Sequence, residues 1–172
     1  MCIGRLLPAA LAAALTGCAT SVTVTPQLAG KQQTADCHIR APVQFDGKAD
    51  YLPTALDAQP AVSGQLFFRY TYTAQYGLKE TEPFLAMVNP LTLVGFPVGS
   101  DNLVVTGRVD VVRGAETLRS YGAAAAMQRS ATVFSEGETF TEMRRRGLLL
   151  VGGNLSAQLC HDEALLAAMI HP

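Results

Sequence analysis

Apolar and polar positions alternate strictly through Leu66–Tyr76, LFFRYTYTAQY. Phe68, Tyr70, Tyr72, Ala74 and Tyr76 fall on one side, and Arg69, Thr71, Thr73 and Gln75 on the other. Strand side chains point to opposite faces in turn, so this period of two in aromatic and β-branched residues predicts a β-strand. The aromatic row then either packs under a helix as core, the reading favoured, or lines a ligand groove. A second alternation, through Asn102–Val112, sets Leu103, Val105, Val109 and Val111 against Thr106, Arg108 and Asp110. Arg113-Gly114-Ala115-Glu116 makes a turn, and residues 117–134 return as a strand, giving an antiparallel hairpin. Alanines 123–126 favour helix by propensity. They are assigned to the strand because small side chains let a helix lie close to a sheet.

Beyond the hairpin the period changes. Ser135 with Glu138 and Thr139 with Glu142 both have capping-box spacing, where a hydroxyl and a carboxylate satisfy free backbone N–H groups. Leu148, Val151, Leu155, Leu159, Leu166 and Ile170 recur near multiples of 3.6, which predicts an amphipathic helix over 139–160. Gly152-Gly153 is expected to loosen it, and Asp162 to cap a continuation. Upstream, Pro42–Phe45 reads as a short strand ending at Asp46-Gly47, and Ala49–Ala58 as a short helix begun or interrupted by Pro53. Strands followed by a long helix give an α+β domain over 36–172: an antiparallel sheet with a long C-terminal amphipathic helix packed on one face.

The first eighteen residues follow another logic. Arg5 is their only charge, Leu6–Leu15 are apolar, and Thr16-Gly17 are small residues before Cys18. A positive start, a short apolar core and small residues at a cut are the layout of a secretory signal peptide, here 1–17. The apolar block contains Pro8 and is far short of the roughly 20 residues a spanning helix needs. Leu15-Thr16-Gly17-Cys18 resembles the lipobox of bacterial lipoproteins at all four positions. The resemblance implies that the Cys18 thiol receives a diacylglycerol, that the chain is cut before it, and that the new amine is acylated with a palmitate-type chain. One acyl chain holds a protein only marginally, whereas two or more make a stable anchor. Ala19, where an aspartate would imply inner-membrane retention, implies the periplasmic face of the outer membrane. An ordinary signal peptide with a chance cysteine is the alternative. Residues 18–35 are small and polar and are expected to be a flexible tether.

Removing 17 of 172 residues leaves 155, enough for one domain, and loss of Arg5 takes the formal charge from −1 to −2. That balance argues against nucleic acid as a partner, since phosphate binding needs clustered positive charge. Of four cysteines, Cys2 leaves with the signal and Cys18 takes lipid. Cys37 and Cys160 remain as an even pair in an oxidising compartment, and a disulfide is expected. Cys37-His38 and Cys160-His161 also make a nominal zinc set, but adjacent residues diverge in direction and structural zinc ligands usually stand two to four residues apart. No Cys-x-x-Cys favours thiol–disulfide catalysis.

Candidate chemistry is sparse. Ser100-Asp101-Asn102 matches a tripeptide of serine β-lactamases, but their Ser-x-x-Lys and Lys-Thr-Gly are missing. The tripeptide is therefore expected to be the turn before a strand. No Gly-x-Ser-x-Gly, His-Glu-x-x-His or phosphate loop occurs, so no catalytic residue, cofactor or metal is assigned. Arg144-Arg145-Arg146 either grips lipid phosphates or an acidic partner or is a solvated helix turn, the reading favoured, with Glu142 and Arg146 paired at i,i+4. Residues 83–99, PFLAMVNPLTLVGFPVG, are almost wholly apolar yet broken by three prolines. They make either a buried pair of short strands or an exposed contact surface carrying Leu91, Leu93 and Phe96. The layout loosely resembles small outer-membrane accessory lipoproteins of envelope transport and assembly systems. That likeness implies a non-enzymatic, lipid-anchored periplasmic protein that docks on an envelope partner. The alternative is a lipid- or glycan-binding module using the aromatic row, and a hydrolase is a remote third.

Overall fold

The two alternating stretches and the alanine-rich return form the middle of one sheet. The computed structural model describes residues 20–28, 37–60, 66–78, 99–131 and 138–170. They hold β1 (Ser21–Thr25), β2 (Ile39–Gln44), β3 (Leu56–Gln59), β4 (Leu66–Leu78), β5 (Gly99–Arg113), β6 (Glu116–Ala131), α1 (Phe140–His161) and α2 (Glu163–Ile170). The strand order is β1-β6-β5-β4-β2-β3. β4, β5 and β6 form an antiparallel meander, and Gly114 turns the β5–β6 hairpin at φ 62°, a left-handed conformation that glycine adopts without a Cβ clash.

One face of the meander is core. Phe68 is registered with Val111, Tyr70 with Val109 and Ala74 with Val105, while Val105 meets Ala125 and Leu103 meets Met127 on β6. α1 covers this face with Met143, Leu148, Val151, Leu155 and Leu159, all essentially inaccessible to solvent. Burial of each such side chain contributes about 1.5–3 kcal/mol. Two glycines set the depth of the approach. A Cβ on Gly107 would stand 2.5 Å from Val151 Cγ1, and one on Gly147 would stand 2.7 Å from Val105 Cγ2. Ala123 and Ala125, also buried, extend the low floor under the helix. The alanine run is therefore strand, as its position demanded.

Several expectations need correction. The sheet is mixed rather than antiparallel, because β2 runs parallel to both β3 and β4. Hairpins announce themselves by their turns, whereas parallel pairs are joined by longer crossovers without a local signal. Part of the expected tether is strand: Ser21–Thr25 pairs with β6 from Gln128 to Ala124, and Val22 and Val24 pack against the core opposite Met127 and Ala125. The helix expected over Ala49–Ala58 is a three-residue 3-10 turn, Ala49–Tyr51, followed by β3. Pro53 disfavours helical geometry in the residue before it, and Leu52 is extended at φ −66°, ψ 139°. Ser100-Asp101-Asn102 lies within β5, paired with Ser130, Arg129 and Gln128, rather than in a turn. α1 runs unbroken through Gly152-Gly153. Gly152 faces the Tyr51 carbonyl and Pro53, where a small residue lets the β2–β3 connection pack.

Candidate functional site

Register brings several chain features to one end of the sheet. β1 begins there with Ser21 opposite Gln128, β4 ends there with Leu78 opposite Asp101, and β5 begins there with Gly99 opposite Ala131. α1 starts from the same end. Gly147 rests on Met127 and Val105, and Met127 is registered with Val22. Arg144, Arg145 and Arg146 precede Gly147 by up to one turn and so lie toward the Ser21 end of the sheet.

Local sequence fixes the charge pattern at this end. Thr139 caps α1, and the Glu142 carboxylate accepts from the Thr139 N–H at 2.9 Å and from its hydroxyl at 2.8 Å. The backbone N–H bond, then the hydroxyl bond, hold the Glu142 carboxyl below its usual range. Glu142 is thus committed to the cap, and the expected Glu142–Arg146 pair is replaced by Arg146–Glu138 at 3.5 Å. Arg144 and Arg145 are exposed and have no ionic partner among the described residues. Arg144, four residues before buried Leu148, is itself exposed, whereas its neighbour Met143 is buried in the core. Nearby, Tyr76 meets Phe140 edge-on at 5.4 Å, and Arg129 lies over the Phe140 ring at 5.0 Å. Tyr76 is 49% exposed, whereas Phe68 and Tyr70 are buried beneath α1. The aromatic row is core over most of its length.

The helix-free face of the sheet carries the other polar assembly. A depression of about 620 Å³ is lined by Thr25, Thr71, Thr73, Thr106, Arg108 and Ala124. The hydroxyls of Thr73 and Thr106 share a hydrogen bond of 2.7 Å. Beside it Asp110 accepts from Arg108 Nε at 2.7 Å and from Ser120 Oγ at 2.5 Å. Burial pushes the Asp110 carboxyl up, but the bonds from Ser120 and Arg108 and the charges of Arg108 and Arg69 outweigh it and leave the group lowered. The surface offers a few threonine hydroxyls and a neutralised arginine within a lining that is otherwise mostly apolar, with Pro26, Gly122 and Ala123. Sequence reasoning did not single out this set, although Arg108 and Asp110 at i,i+2 on a strand were a readable sign that they share a face.

At the opposite end Cys37 and Cys160 form the expected disulfide, with Cα atoms 5.6 Å apart. Neither cysteine therefore serves as a zinc thiolate. Asp162, expected as a helix cap, accepts from Arg119 at 2.6 Å and from the Tyr121 hydroxyl at 2.9 Å, so its side chain ties the helix junction to β6. Burial, then the Asp162 bond, push the Tyr121 hydroxyl well above its ordinary value. Among the described residues no three His, Cys, Asp or Glu side chains are grouped to hold a metal. Cys18 and residues 1–19 lie outside the described residues, as do Leu91, Leu93, Phe96 and Ser135.

The chain matches no family model. Comparison with curated proteins and with solved structures likewise finds no match. No helix among the described residues is long and apolar enough to cross a membrane.

Proposed function

We propose that the protein is a lipid-anchored lipoprotein of the bacterial outer membrane, held at its periplasmic face through Cys18 and serving as a non-enzymatic docking component in envelope assembly, transport or maintenance. The observation that carries this reading is Leu15-Thr16-Gly17-Cys18 at the close of the Leu6–Leu15 apolar run, followed after two residues by the first strand of the body. The Cys37–Cys160 disulfide supports an oxidising compartment. The docking role is supported by an open sheet face with a shallow, mostly apolar depression edged by threonine hydroxyls, and by the apolar sequence of 83–99.

Fractionation of cells expressing the chain tests the anchor. The wild type is expected in the membrane fraction and Cys18→Ala in the soluble periplasmic fraction. An unchanged membrane location for Cys18→Ala contradicts the reading. In-cell crosslinking from a probe at position 91 tests docking: repeated capture of one envelope protein supports it, and capture of lipid alone counts against it.

A further inference from the structure

We propose that Arg144 and Arg145 form a phospholipid-headgroup contact that seats the body, anchor end first, on an anionic bilayer surface. The inference rests on the anchoring reading and adds an orientation and a lipid class to it. Ser21 is three residues from Cys18, and an extended chain spans at most about 3.3–3.6 Å per residue. Because Ser21 is locked opposite Gln128, an acylated Cys18 holds this end of the sheet within about 10 Å of the bilayer. That distance is comparable to the Debye length of about 8 Å at physiological ionic strength. Arg144 and Arg145 stand at the same end.

Among the described residues no carboxylate cancels their charge. Glu142 is committed to the Thr139 cap and Glu138 to Arg146, so two guanidinium groups face solvent without a counter-ion among the described residues. Guanidinium groups match phosphate geometry and bind it with paired N–H donors. The mature chain is acidic overall, at −2 by formal count. An anionic surface therefore repels the body in general and favours only the pose that presents this end. At the opposite end the arginines have partners: Arg40 pairs with Asp57, Arg119 with Asp162, and Arg113 donates to the Met169 carbonyl.

The test uses the mature chain from Cys18, its disulfide intact, with the Cys18 thiol alkylated by a single C14 chain. Such a chain binds bilayers only marginally, with an association constant on the order of 10⁴ M⁻¹, so a second contact is measurable. Installing the chain chemically separates this test from whether cells acylate Cys18. Partitioning is compared between phosphatidylcholine vesicles and vesicles containing about one third phosphatidylglycerol. Each basic residue near an anionic surface multiplies binding roughly fivefold, so with two arginines the wild type is expected to bind the anionic vesicles about 25-fold more tightly. Arg144→Glu/Arg145→Glu and the milder Arg144→Gln/Arg145→Gln are expected to lose that preference, as is the wild type at about 1 M salt, where the Debye length is about 3 Å. Arg40→Glu/Arg113→Glu, with the same charge change at the far end, is expected to keep most of it. Circular dichroism checks that each variant is folded. Equal partitioning of the wild type into both vesicles overturns the proposal, and points these arginines to an acidic protein instead. Equal loss in the near-end and far-end variants overturns it too, since net charge alone then explains the binding.

Discussion

The two ends of the sheet differ in how their charges and chain are tied down. At the hairpin end, Cys37–Cys160 links the start of β2 to the end of α1, and Asp162 gathers Arg119 and Tyr121. At the Ser21 end, β1 is a five-residue edge strand, and Arg144 and Arg145 have no counter-ion among the described residues. The hairpin end is closed by a covalent bond and the Arg119–Asp162 ion pair, whereas the Ser21 end leaves two exposed guanidinium groups without an ionic partner among the described residues. The difference lies in the arginines: Arg40, Arg113 and Arg119 at the hairpin end each have a partner, whereas Arg144 and Arg145 have no ionic partner among the described residues.

Removing the covalent tie breaks the comparison most forcefully. Cys37→Ser/Cys160→Ser frees a loop with a sequence separation of 123, and the chain-entropy estimate puts the loss at about 5 kcal/mol. Denaturant unfolding is expected to show this as a lower midpoint, and a change under 1 kcal/mol would mean the hairpin end is held by packing alone.

Gly107→Ala comes next, because its Cβ meets Val151 Cγ1 from a branched side chain with little room to move. Overpacking of this kind costs about 1–3 kcal/mol. Thermal melts should show the loss, and an unchanged melting temperature would mean that α1 can lift off the sheet without penalty.

Tyr70 gives a smaller, pH-dependent effect. Its hydroxyl is buried without a hydrogen-bond partner among the described residues. Burial, then the neighbouring Tyr72, push it up to about 12. The folded value lies above the unfolded value near 10, so the associated stability is intact below pH 10 and is lost as pH climbs toward 12. Tyr70→Phe is expected to be neutral or up to about 1 kcal/mol more stable at pH 7, by sparing an unsatisfied hydroxyl. Its stability is also expected to fall less between pH 10 and 12, as unfolding at each pH will show.

Arg144→Gln/Arg145→Gln is expected to shift stability least, within about 0.5 kcal/mol, although it alters vesicle preference. A loss above 1 kcal/mol in a melt would mean that these arginines hold the fold together.

The meander and the long helix were legible because their side-chain periods and their turn and capping residues act locally. Thr139 and Glu142 cap as their spacing says, and Phe68, Val105 and Leu155 lie in the core their periods place them in. β1 was missed although SVTVT alternates, because its two valines become core only against Met127 and Ala125, more than a hundred residues away. The parallel pairing of β2 had no turn to announce it. The capping of α1 displaced the expected Glu142–Arg146 pair: Glu142 satisfies the Thr139 N–H, and Arg146 turns to Glu138. The open-face set of Arg108, Asp110 and Ser120 needed the β5–β6 register to bring Ser120 across.

Intact mass spectrometry of the protein purified from its native membrane tests the central claim most directly. The account predicts a chain that starts at Cys18 and carries diacylglycerol on the thiol and a further acyl group on the amine. A product with an unmodified Cys18 thiol, or one still beginning at Met1, contradicts it.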